Sequence, residues 1–314
     1  MAIQKKILIT GGAGNIGSSL ASKLLVNPSN YVVVVDNLST GSRSKLPAAT
    51  LSNFQFIKAD ANQFNELASI MLSYQFDYVF HYAAVVGVSR TLENPVMVLK
   101  DIEGIRNVLD LSKNTGVKRV FYSSSSEVYG EPVTIPQYEE TTPLNSRLPY
   151  AVVKNVGEAF CRSYYQEFGL PYSVFRFFNT YGPGQSEDFV VPRFLRAAMQ
   201  AEPIHIYGDG SQTRTFCYVD DNIEATMAIM DDPSSLNQTV NIGSDEELSI
   251  LELAKLVKQV SGSTSPIVHL PPLKEGDMAR RKPDISRMKN YLAKPLITLA
   301  QGIALLHQSY LKEK

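Results

Sequence analysis

A tyrosine and a lysine lie four positions apart in a segment with a helical pattern, at Tyr150 and Lys154. In a helix their side chains would project from the same face, one turn apart. The ammonium group would then favour the phenolate and lower the pKa of Tyr150 from its ordinary value of about 10. Such a phenolate is a general base. Because the same spacing is common between surface residues, the elements around the pair must decide its role.

Four consecutive serines, residues 123–126, precede Glu127 at the carboxyl end of the fifth predicted strand. Open α/β sheets bind their ligands at this end of the strands. Hydroxyl groups there could share a substrate proton with Tyr150. The alternative is a serine-rich loop that caps a helix, but it does not explain the Glu-Val-Tyr-Gly segment at residues 127–130.

Glycines mark the turn between the first predicted strand and the first predicted helix. Gly12, Gly14 and Gly17 fit the spacing G-x-G-x-x-G, and Gly11, Gly14 and Gly17 fit the shifted form G-x-x-G-x-x-G. They allow a tight turn and a close approach of the backbone to a pyrophosphate, whose charge is met by amides at the helix N-terminus. The segment therefore predicts a dinucleotide site.

Acidic residues end the second and third predicted strands, at Asp36 and Asp60. A carboxylate at Asp36 would accept both ribose hydroxyls of NAD and repel the 2'-phosphate of NADP, so NAD is the predicted cofactor. Arg43, in the loop that follows, could bind such a phosphate, although we prefer to interpret it as a solvated loop arginine. Asp60 could reach the adenine or act as a helix N-cap.

Short apolar runs alternate with helical stretches through the first half of the chain. Continuous apolar strands separated by helices are typical of a parallel sheet that is covered on both faces. The sequence therefore predicts an α/β fold, with a doubly wound parallel sheet of the Rossmann type and a second, smaller, discontinuous domain. The predicted strands are residues 6–10, 31–36, 54–57, 78–81, 118–122 and 172–176.

Helix boundaries are also visible in the sequence. Asn94 and Pro95 predict the N-cap and the first position of a helix that ends at Gly116, and Gly169 ends the helix that begins near Tyr150. After residue 179, glycine and proline interrupt shorter elements, but residues 216–242 return to sheet-like patterns. We therefore expect a first domain of residues 1–178 plus 216–242 and a second of residues 179–215 plus 243–314.

Composition limits the partners and the compartment. The 314 residues carry 30 Lys plus Arg against 31 Asp plus Glu, a net charge of -1, so no overall positive field favours nucleic acid or an anionic membrane. The two cysteines, Cys161 and Cys217, exclude a disulfide framework and a cysteine-based zinc site, and we predict no metal. With no signal peptide or membrane-length apolar run, a cytoplasmic location is expected.

Taken in order, these segments resemble the extended short-chain dehydrogenase/reductase family, specifically its nucleotide-sugar epimerases, dehydratases and decarboxylases. The resemblance covers nearly the whole chain. It implies NAD as cofactor, a nucleotide-diphosphate sugar as substrate, an NAD-binding first domain and a nucleotide-sugar-binding second domain. The segments that carry it are residues 10–17, Asp36, and residues 81–84, 124–130, 150–154, 176–179, 207–214 and 277–284.

The resemblance also implies roles for individual residues. Ser125 and Tyr150 would hold the 4-hydroxyl of the sugar, Lys154 would anchor the nicotinamide ribose, and Glu127 completes the predicted catalytic set. The implied cofactor contacts are Gly11, Gly14, Asn15, Ile16, Gly17, Asp36, Asn37, Asp60, Ala61, Ala83, Ala84, Tyr150 and Lys154. The implied substrate contacts are Ser125, Asn179, Val191, Tyr207, Arg214, Lys274, Asp277 and Arg280.

Among the substrate contacts, Asn179, Arg214 and Arg280 are expected at the diphosphate, for which the planar guanidinium donors are well suited. Lys274 stands where some epimerases carry an arginine, and Asp277 where they bind the nucleotide ribose. One position departs from the family pattern. Many members have Asn-x-x-Gly in the helix beneath the nicotinamide, whereas this chain has Asp101-Ile-Glu-Gly at residues 101–104.

Three reactions share a first step in which Tyr150 removes the 4-hydroxyl proton and NAD+ oxidises C4 of the sugar. Residues 81–87, 130–132 and 142–144 look like a 4-epimerase, acting on a hexose or a hexuronate. Ser126-Glu127 and residues 277–284 look like a UDP-glucuronate decarboxylase. Such decarboxylases usually have an arginine after Tyr-Gly-Pro, however, where this chain has Gly184. A 4,6-dehydratase would need an Asp at the position of Ser126. We therefore expect an epimerase first, then a decarboxylase, then a dehydratase.

Two other classes of protein fit less well. A net-redox reductase would require NADPH, against which Asp36 argues. A non-catalytic NAD-binding regulatory protein would have no reason to keep Ser125, Tyr150 and Lys154 together.

Family members commonly pair two helices into a four-helix bundle between subunits. Val96, Leu99, Val108 and Leu111 form an apolar stripe that could be core or such an interface. On the resemblance we expect a homodimer.

Overall fold

Seven parallel strands form the large sheet of the protein, whose computed structural model describes residues 5–272 and 278–312, apart from the side chains of Val88 and Ser89. The strand order is β11-β6-β5-β4-β1-β2-β3, and the predicted doubly wound parallel sheet is confirmed. The strands in chain order are β1 (Lys5–Thr10), β2 (Asn30–Asp36), β3 (Phe54–Lys58), β4 (Tyr78–His81), β5 (Arg119–Ser125), β6 (Tyr172–Phe177), β7 (Thr180–Tyr181), β8 (Ile204–Tyr207), β9 (Thr213–Thr215), β10 (Cys217–Tyr218), β11 (Gln238–Ile242), β12 (Glu247–Ser249) and β13 (Ile267–Leu270).

Helices cover both faces of this sheet. The first face packs against α1 and α8, and the second packs against α2, α5 and α6. The helices in chain order are α1 (Asn15–Leu24), α2 (Phe64–Tyr74), α3 (Val88–Glu93), α4 (Pro95–Leu99), α5 (Asp101–Thr115), α6 (Pro149–Phe168), α7 (Val190–Met199), α8 (Val219–Asp231), α9 (Ile250–Ser261), α10 (Ser286–Tyr291) and α11 (Leu299–Lys312).

Burial on both faces explains why the central strands carry runs of consecutive apolar residues. Successive side chains of a strand point to opposite faces. Ile9 and Val34 therefore pack against α1 and α8, whereas Leu8 and Val33 pack against α2, α5 and α6. All four are fully buried, and each such side chain contributes about 1.5–3 kcal/mol relative to an exposed one.

The remaining strands form three two-stranded sheets, β7–β10, β8–β13 and β9–β12. The sheet-like pattern at residues 217–219 does not add a strand to the large sheet, because Cys217 and Tyr218 pair with Thr180 and Tyr181. The apolar cluster on the α1 side of the large sheet continues into α7, α9 and α11. One core thus joins the two regions, and the division into two domains stays a prediction.

Three local expectations are corrected by the structure. The helix expected from Pro95 to Gly116 is divided into α4 and α5 at Lys100, and the Asn94 side chain donates to the Arg90 carbonyl instead of capping α4. Asp60 does not cap a helix, because α2 begins at Phe64 with Gln63 before it. Strand β5 extends to Ser125, so most of the serine run lies within the strand.

The predicted apolar stripe divides between core and surface. Val108 and Leu111, on the inner face of α5, are buried in the core, whereas Val96 and Leu99, on α4, are exposed. A subunit interface at these helices stays a prediction. None of the helices in the described ranges is long and apolar enough to cross a bilayer.

A buried polar network fixes α6 on the sheet. The Glu158 carboxylate, on α6, accepts hydrogen bonds from Ser124 Oγ at 2.6 Å and from Arg176 Nε and Nη2 at 2.9 and 2.7 Å. Arg176, on β6, also donates to the Tyr129 hydroxyl at 2.8 Å and the Glu139 carbonyl at 3.0 Å. Burial disfavours the charged guanidinium, but its contacts with Glu158 outweigh this and raise the pKa of Arg176.

Replacing Glu158 should be costly because it leaves the Arg176 cation buried without an anion. We expect Glu158→Leu to lower the free energy of unfolding by about 3–5 kcal/mol, and Glu158→Leu with Arg176→Met to recover much of that loss. Urea unfolding followed by circular dichroism measures both. Glu103→Leu, which removes an exposed ion pair with Arg106, is the control and should change stability by less than about 1 kcal/mol. A double variant no more stable than Glu158→Leu would contradict this account.

Candidate active site

The glycine turn between β1 and α1 lies against the segment that follows β4. Gly11 has a φ of +70°, and a Cβ there would lie 2.5 Å from the backbone nitrogen of Ala83. A Cβ on Gly17 would lie 2.7 Å from the Gly11 carbonyl oxygen. Only glycine fits either position. The N-terminal amides of α1 therefore open at the carboxyl edge of the sheet, between β1 and β4, where the strand order reverses.

Asp36 is fixed at the end of β2 by two backbone amides. Its Oδ2 accepts from the Ala13 N–H at 2.9 Å and its Oδ1 from the Leu38 N–H at 2.7 Å. A carboxylate can accept about four hydrogen bonds, so capacity remains for two ribose hydroxyls. Arg43 is exposed, as preferred for a loop arginine, and its guanidinium lies over the Phe56 ring, 5.2 Å from the centroid.

Other predicted cofactor residues lie along the same edge. Asn37 Nδ2 donates to Asp60 Oδ2 at 3.2 Å, which joins the ends of β2 and β3. The Ala61 carbonyl accepts from Asn107 Nδ2 at 3.0 Å. The structure thus brings together the candidate residues that follow β1, β2, β3 and β4, namely Gly11, Gly14, Asn15, Ile16, Gly17, Asp36, Asn37, Asp60, Ala61, Ala83 and Ala84.

The residues at this edge fit a dinucleotide. The turn at Gly11 has no room for a side chain, and the acceptor capacity of Asp36 suits a ribose. The side-chain amide of Asn15, at the start of α1, is buried and has no hydrogen-bond partner among the described residues. A ligand with polar groups over the glycine turn would supply one.

The predicted catalytic trio lies together where β5 meets α6. Pro149 occupies the first turn of α6, and Gly169 ends the helix in the left-handed conformation. The Lys154 Nζ donates to the Ser123 carbonyl at 2.7 Å and lies 5.7 Å from the centroid of the Tyr150 ring. The Ser125 side chain lies near enough to the Tyr150 hydroxyl to lower its pKa.

The pKa of Tyr150 does not behave as the sequence predicted. Burial and the charge of Glu127 raise it, and the contributions that lower it come from the hydrogen bond to Ser125 and the charge of Arg281. The predicted lowering by Lys154 is therefore wrong for this arrangement. Burial lowers the pKa of Lys154 to about 8, so its ammonium group loses a proton at a lower pH than an ordinary lysine does.

Arg281 is a site residue that the sequence reasoning missed. It is 5% exposed, and its Nη1 donates to Ser126 Oγ at 3.3 Å and lies 3.9 Å from Glu127 Oε1. Its Nε is buried and has no hydrogen-bond partner among the described residues. The sequence shows two adjacent arginines, Arg280 and Arg281. Which of them points toward Ser126 and Glu127 depends on tertiary contacts.

Arg280 points away from this cluster. The Arg281 N–H donates to the Thr213 carbonyl at 3.3 Å, and the Thr213 N–H donates to the Ala279 carbonyl at 3.0 Å, so residues 279–281 run beside β9. Neighbouring side chains of an extended segment point in opposite directions. Arg280 accordingly forms two hydrogen bonds with Glu247, at 2.5 and 2.8 Å, and a diphosphate would have to compete with that carboxylate.

The other predicted substrate residues divide as follows. Arg214 is buried on β9, and its Nη1 donates to the Thr213 carbonyl at 2.7 Å. Asn179 has a φ of +33°, and its Nδ2 donates to the Thr215 carbonyl at 2.8 Å, which places it beside β9. Val191 is buried in α7, and Tyr207 ends β8. Lys274 and Asp277 lie outside the described residues. All of these substrate contacts stay predictions.

Nothing in the described ranges groups three His, Cys, Asp or Glu side chains in a way that could hold a metal ion. Both cysteines are buried and free.

Comparison of the sequence and the structure with known proteins identifies the family of the chain. The sequence profile of the NAD dependent epimerase/dehydratase family matches residues 7–243. UDP-N-acetyl-alpha-D-glucosaminuronate decarboxylase of Bacillus cytotoxicus is 38% identical over 319 residues, 96% of each chain. UDP-glucuronic acid decarboxylase 1 of Xenopus tropicalis is 36% identical over 96% of this chain and 70% of its own. UDP-glucose 4-epimerase of Thermotoga maritima, solved with UDP-glucose, superposes with a TM-score of 0.92 at 33% identity, over 98% of this chain and 99% of its own. The chain therefore belongs to the NAD dependent epimerase/dehydratase family, in the extended short-chain dehydrogenase/reductase group, and NAD is its cofactor.

Proposed function

We propose that the protein decarboxylates a nucleotide-diphosphate hexuronate through a transient oxidation at C4. The observation that carries the proposal is Arg281, a buried cation that donates to the Ser126 hydroxyl and whose charge acts on Tyr150. A buried cation is stable only when it is paired and hydrogen-bonded. Glu127, at 3.9 Å, lies beyond hydrogen-bonding distance of Arg281, and the Arg281 Nε has no described partner. Arg281 thus keeps a donor for a second anion.

A hexuronate would bring that anion to the right place. Its C6 carboxylate is attached to C5, next to the C4 hydroxyl that Ser125 and Tyr150 are proposed to hold. A sugar bound there would place the carboxylate within reach of Ser126 and Arg281. The relatives from Bacillus cytotoxicus and Xenopus tropicalis are both named as decarboxylases of UDP-linked uronic acids, which supports a uronate here too.

The reaction would begin at the 4-hydroxyl. Ser125 holds this group, and Tyr150 accepts its proton. Lys154, fixed by the Ser123 carbonyl, presents its ammonium to the ribose of the cofactor. When bound, NAD+ supplies the acceptor for the C4 hydride, the donor that later returns it, and a positive charge next to Tyr150. That charge would offset the burial and the Glu127 carboxylate that raise the pKa of Tyr150.

Oxidation at C4 makes the substrate a β-keto acid. The C5–C6 bond then breaks, CO2 leaves, and the electron pair forms an enolate at O4, which Ser125 and Tyr150 stabilise by hydrogen bonds. C5 takes up one proton, for which Glu127 is the nearest candidate donor on the protein. Tyr150 returns its proton to O4 as C4 is reduced again. The net reaction consumes one proton and regenerates NAD+.

A 4-epimerase acting on a hexuronate is the second candidate. It is favoured by the epimerase-like segments at 81–87 and 130–132 and by the similarity to the Thermotoga maritima enzyme. Epimerisation requires the ketone to present its other face to the cofactor. A carboxylate held by Arg281 would oppose that rotation, which is why decarboxylation is preferred. Ser126 cannot supply the acid that a dehydratase would need there.

Tyr150→Phe should nearly abolish turnover. Losing the general base is expected to lower kcat by at least about 100-fold, while the fold and bound NAD are retained. Tyr165→Phe, which changes an exposed tyrosine on the same helix, is the matched control and should keep full activity. Turnover is followed by mass spectrometry, NAD content by absorbance, and folding by thermal unfolding. Undiminished turnover of Tyr150→Phe would remove Tyr150 from the mechanism.

Incubation with UDP-, dTDP-, GDP- and CDP-linked hexoses and hexuronates distinguishes the reactions. We expect loss of CO2 from a hexuronate, with UDP-glucuronate and UDP-N-acetylglucosaminuronate tested first because of the relatives' names. Mass spectrometry and NMR report the outcome. An unchanged mass with inverted C4 would replace the decarboxylase with the epimerase, and loss of water would replace it with a dehydratase.

Arg281→Met should act selectively on uronate substrates. The loss of a charged hydrogen-bond partner is expected to lower kcat/KM for the hexuronate by about 100-fold, because such contacts contribute about 2–3 kcal/mol. Inhibition by the matching nucleotide-diphosphate hexose should change by less than about threefold, since its sugar has no carboxylate. Arg287→Gln, at a partly exposed arginine of the same segment that pairs with Glu140, is the control. Equal losses for the uronate and the hexose would show that Arg281 does not recognise the carboxylate.

A further inference from the structure

Asp101, the position that departs from the family pattern, joins two segments that border the cofactor cleft. It is the first residue of α5 and is 8% exposed. Its Oδ2 accepts from the Val85 N–H at 2.7 Å, in the segment after β4, and its Oδ1 accepts from Asn62 Nδ2 at 3.3 Å, in the segment after β3. One carboxylate thus ties both segments to α5.

The two contacts require an acid and not an amide. Each carboxylate oxygen receives a different N–H donor, whereas an asparagine has one acceptor and would turn an NH2 group toward a donor. Asn62 has little freedom to adapt. A Cβ on Gly104, one turn along α5, would lie 2.5 Å from Asn62 Oδ1, so the Asn62 oxygen is packed against Gly104. Asp101, Asn62 and Gly104 are therefore matched to one another.

Asp101 is also the anion that acts on Lys154. The titratable groups that face Lys154 come from four elements: His81 on β4, Tyr122 on β5, Tyr150 on α6 and Asp101 on α5. Burial and the Lys154 charge lower the pKa of His81 to about 3, so His81 is neutral, and burial raises the pKa of both tyrosines. Burial lowers the pKa of Lys154, and Asp101 opposes this.

We propose that Asp101 is a positioning residue of the NAD site, which holds the segments after β3 and β4 in place and provides the counter-charge of the buried Lys154. Only a charged Lys154 presents an ammonium to the cofactor ribose. The ammonium becomes an amine as the pH rises through about 8, so NAD affinity should fall above that pH. The inference concerns NAD binding and not the sugar chemistry, so it can succeed or fail separately from the proposed decarboxylation.

Calorimetric titration of the nucleotide-free protein with NAD+, without any sugar, tests the proposal across a range of pH. We expect Asp101→Asn to weaken NAD+ binding by about tenfold at neutral pH, because a charged hydrogen-bond acceptor is lost. We also expect the pH at which affinity falls to move about one unit toward acid, since an opposing charge near Lys154 has been removed.

Two variants separate the contributions. Asn62→Ala removes one segment contact but keeps the carboxylate, so it should weaken binding without moving the pH of the fall. Glu103→Gln removes an exposed charge from the same first turn of α5 and should change neither quantity. An unmoved pH dependence in Asp101→Asn, or an equal movement in Glu103→Gln, would overturn the proposal.

A measurement on the unmodified chain applies even if Asp101→Asn does not fold. Burial raises the pKa of Asp101, whereas its hydrogen bonds with Val85 and Asn62 and the charge of Lys154 lower it. We expect these contacts to keep the carboxyl ionised at neutral pH, which carbon NMR of labelled aspartate measures. A protonated Asp101 at neutral pH would contradict its role as the counter-charge of Lys154.

Discussion

The buried contact between Glu158 and Arg176 is the constraint on which the active site depends. Glu158 lies one turn beyond Lys154 on α6 and binds both Arg176 on β6 and Ser124 on β5. It therefore fixes the rotation and the position of α6 relative to the strand that carries Ser125. Because both charged groups are buried, the helix cannot shift without exposing an unpaired ion to an apolar core. Tyr150 and Ser125 come from different elements, and this contact holds them in register.

Desolvation acts on the titratable groups of the candidate active site. Lys154, Asp101 and Arg281 are buried and Tyr150 is partly buried. Burial disfavours the charged forms of Tyr150, Lys154 and Asp101. The protein offsets part of this cost through close partners, Asp101 acting on Lys154 and Ser126 on Arg281. The rest is left to the ligands, whose charges complement those of the protein. A site of this kind gains electrostatic strength when the ligands enter and exclude water.

The large sheet and the later segments have separate tasks. The sheet presents the glycine turn, Asp36 and the Ser125–Tyr150–Lys154 group, which under the proposed function would serve any reaction that begins by oxidising C4. The segment around Arg281 is added from far along the chain by pairing with β9. Epimerases and decarboxylases can therefore share one sheet. Under the proposed function, the substituent on C5 would be recognised where the segment around Arg281 meets the end of β5.

Local patterns in the sequence were enough to predict the strands of the first half, the glycine turn and the Tyr150–Lys154 spacing, because apolar periodicity and backbone sterics act over a few residues. Three features required the tertiary structure. The choice between Arg280 and Arg281 as the inward arginine depends on how residues 279–281 pair with β9. The sign of the Tyr150 pKa shift depends on burial and on Glu127, and the partners of Asp101 come from two other segments. Desolvation and charge interactions depend on distance in space, which the order of residues along the chain does not contain.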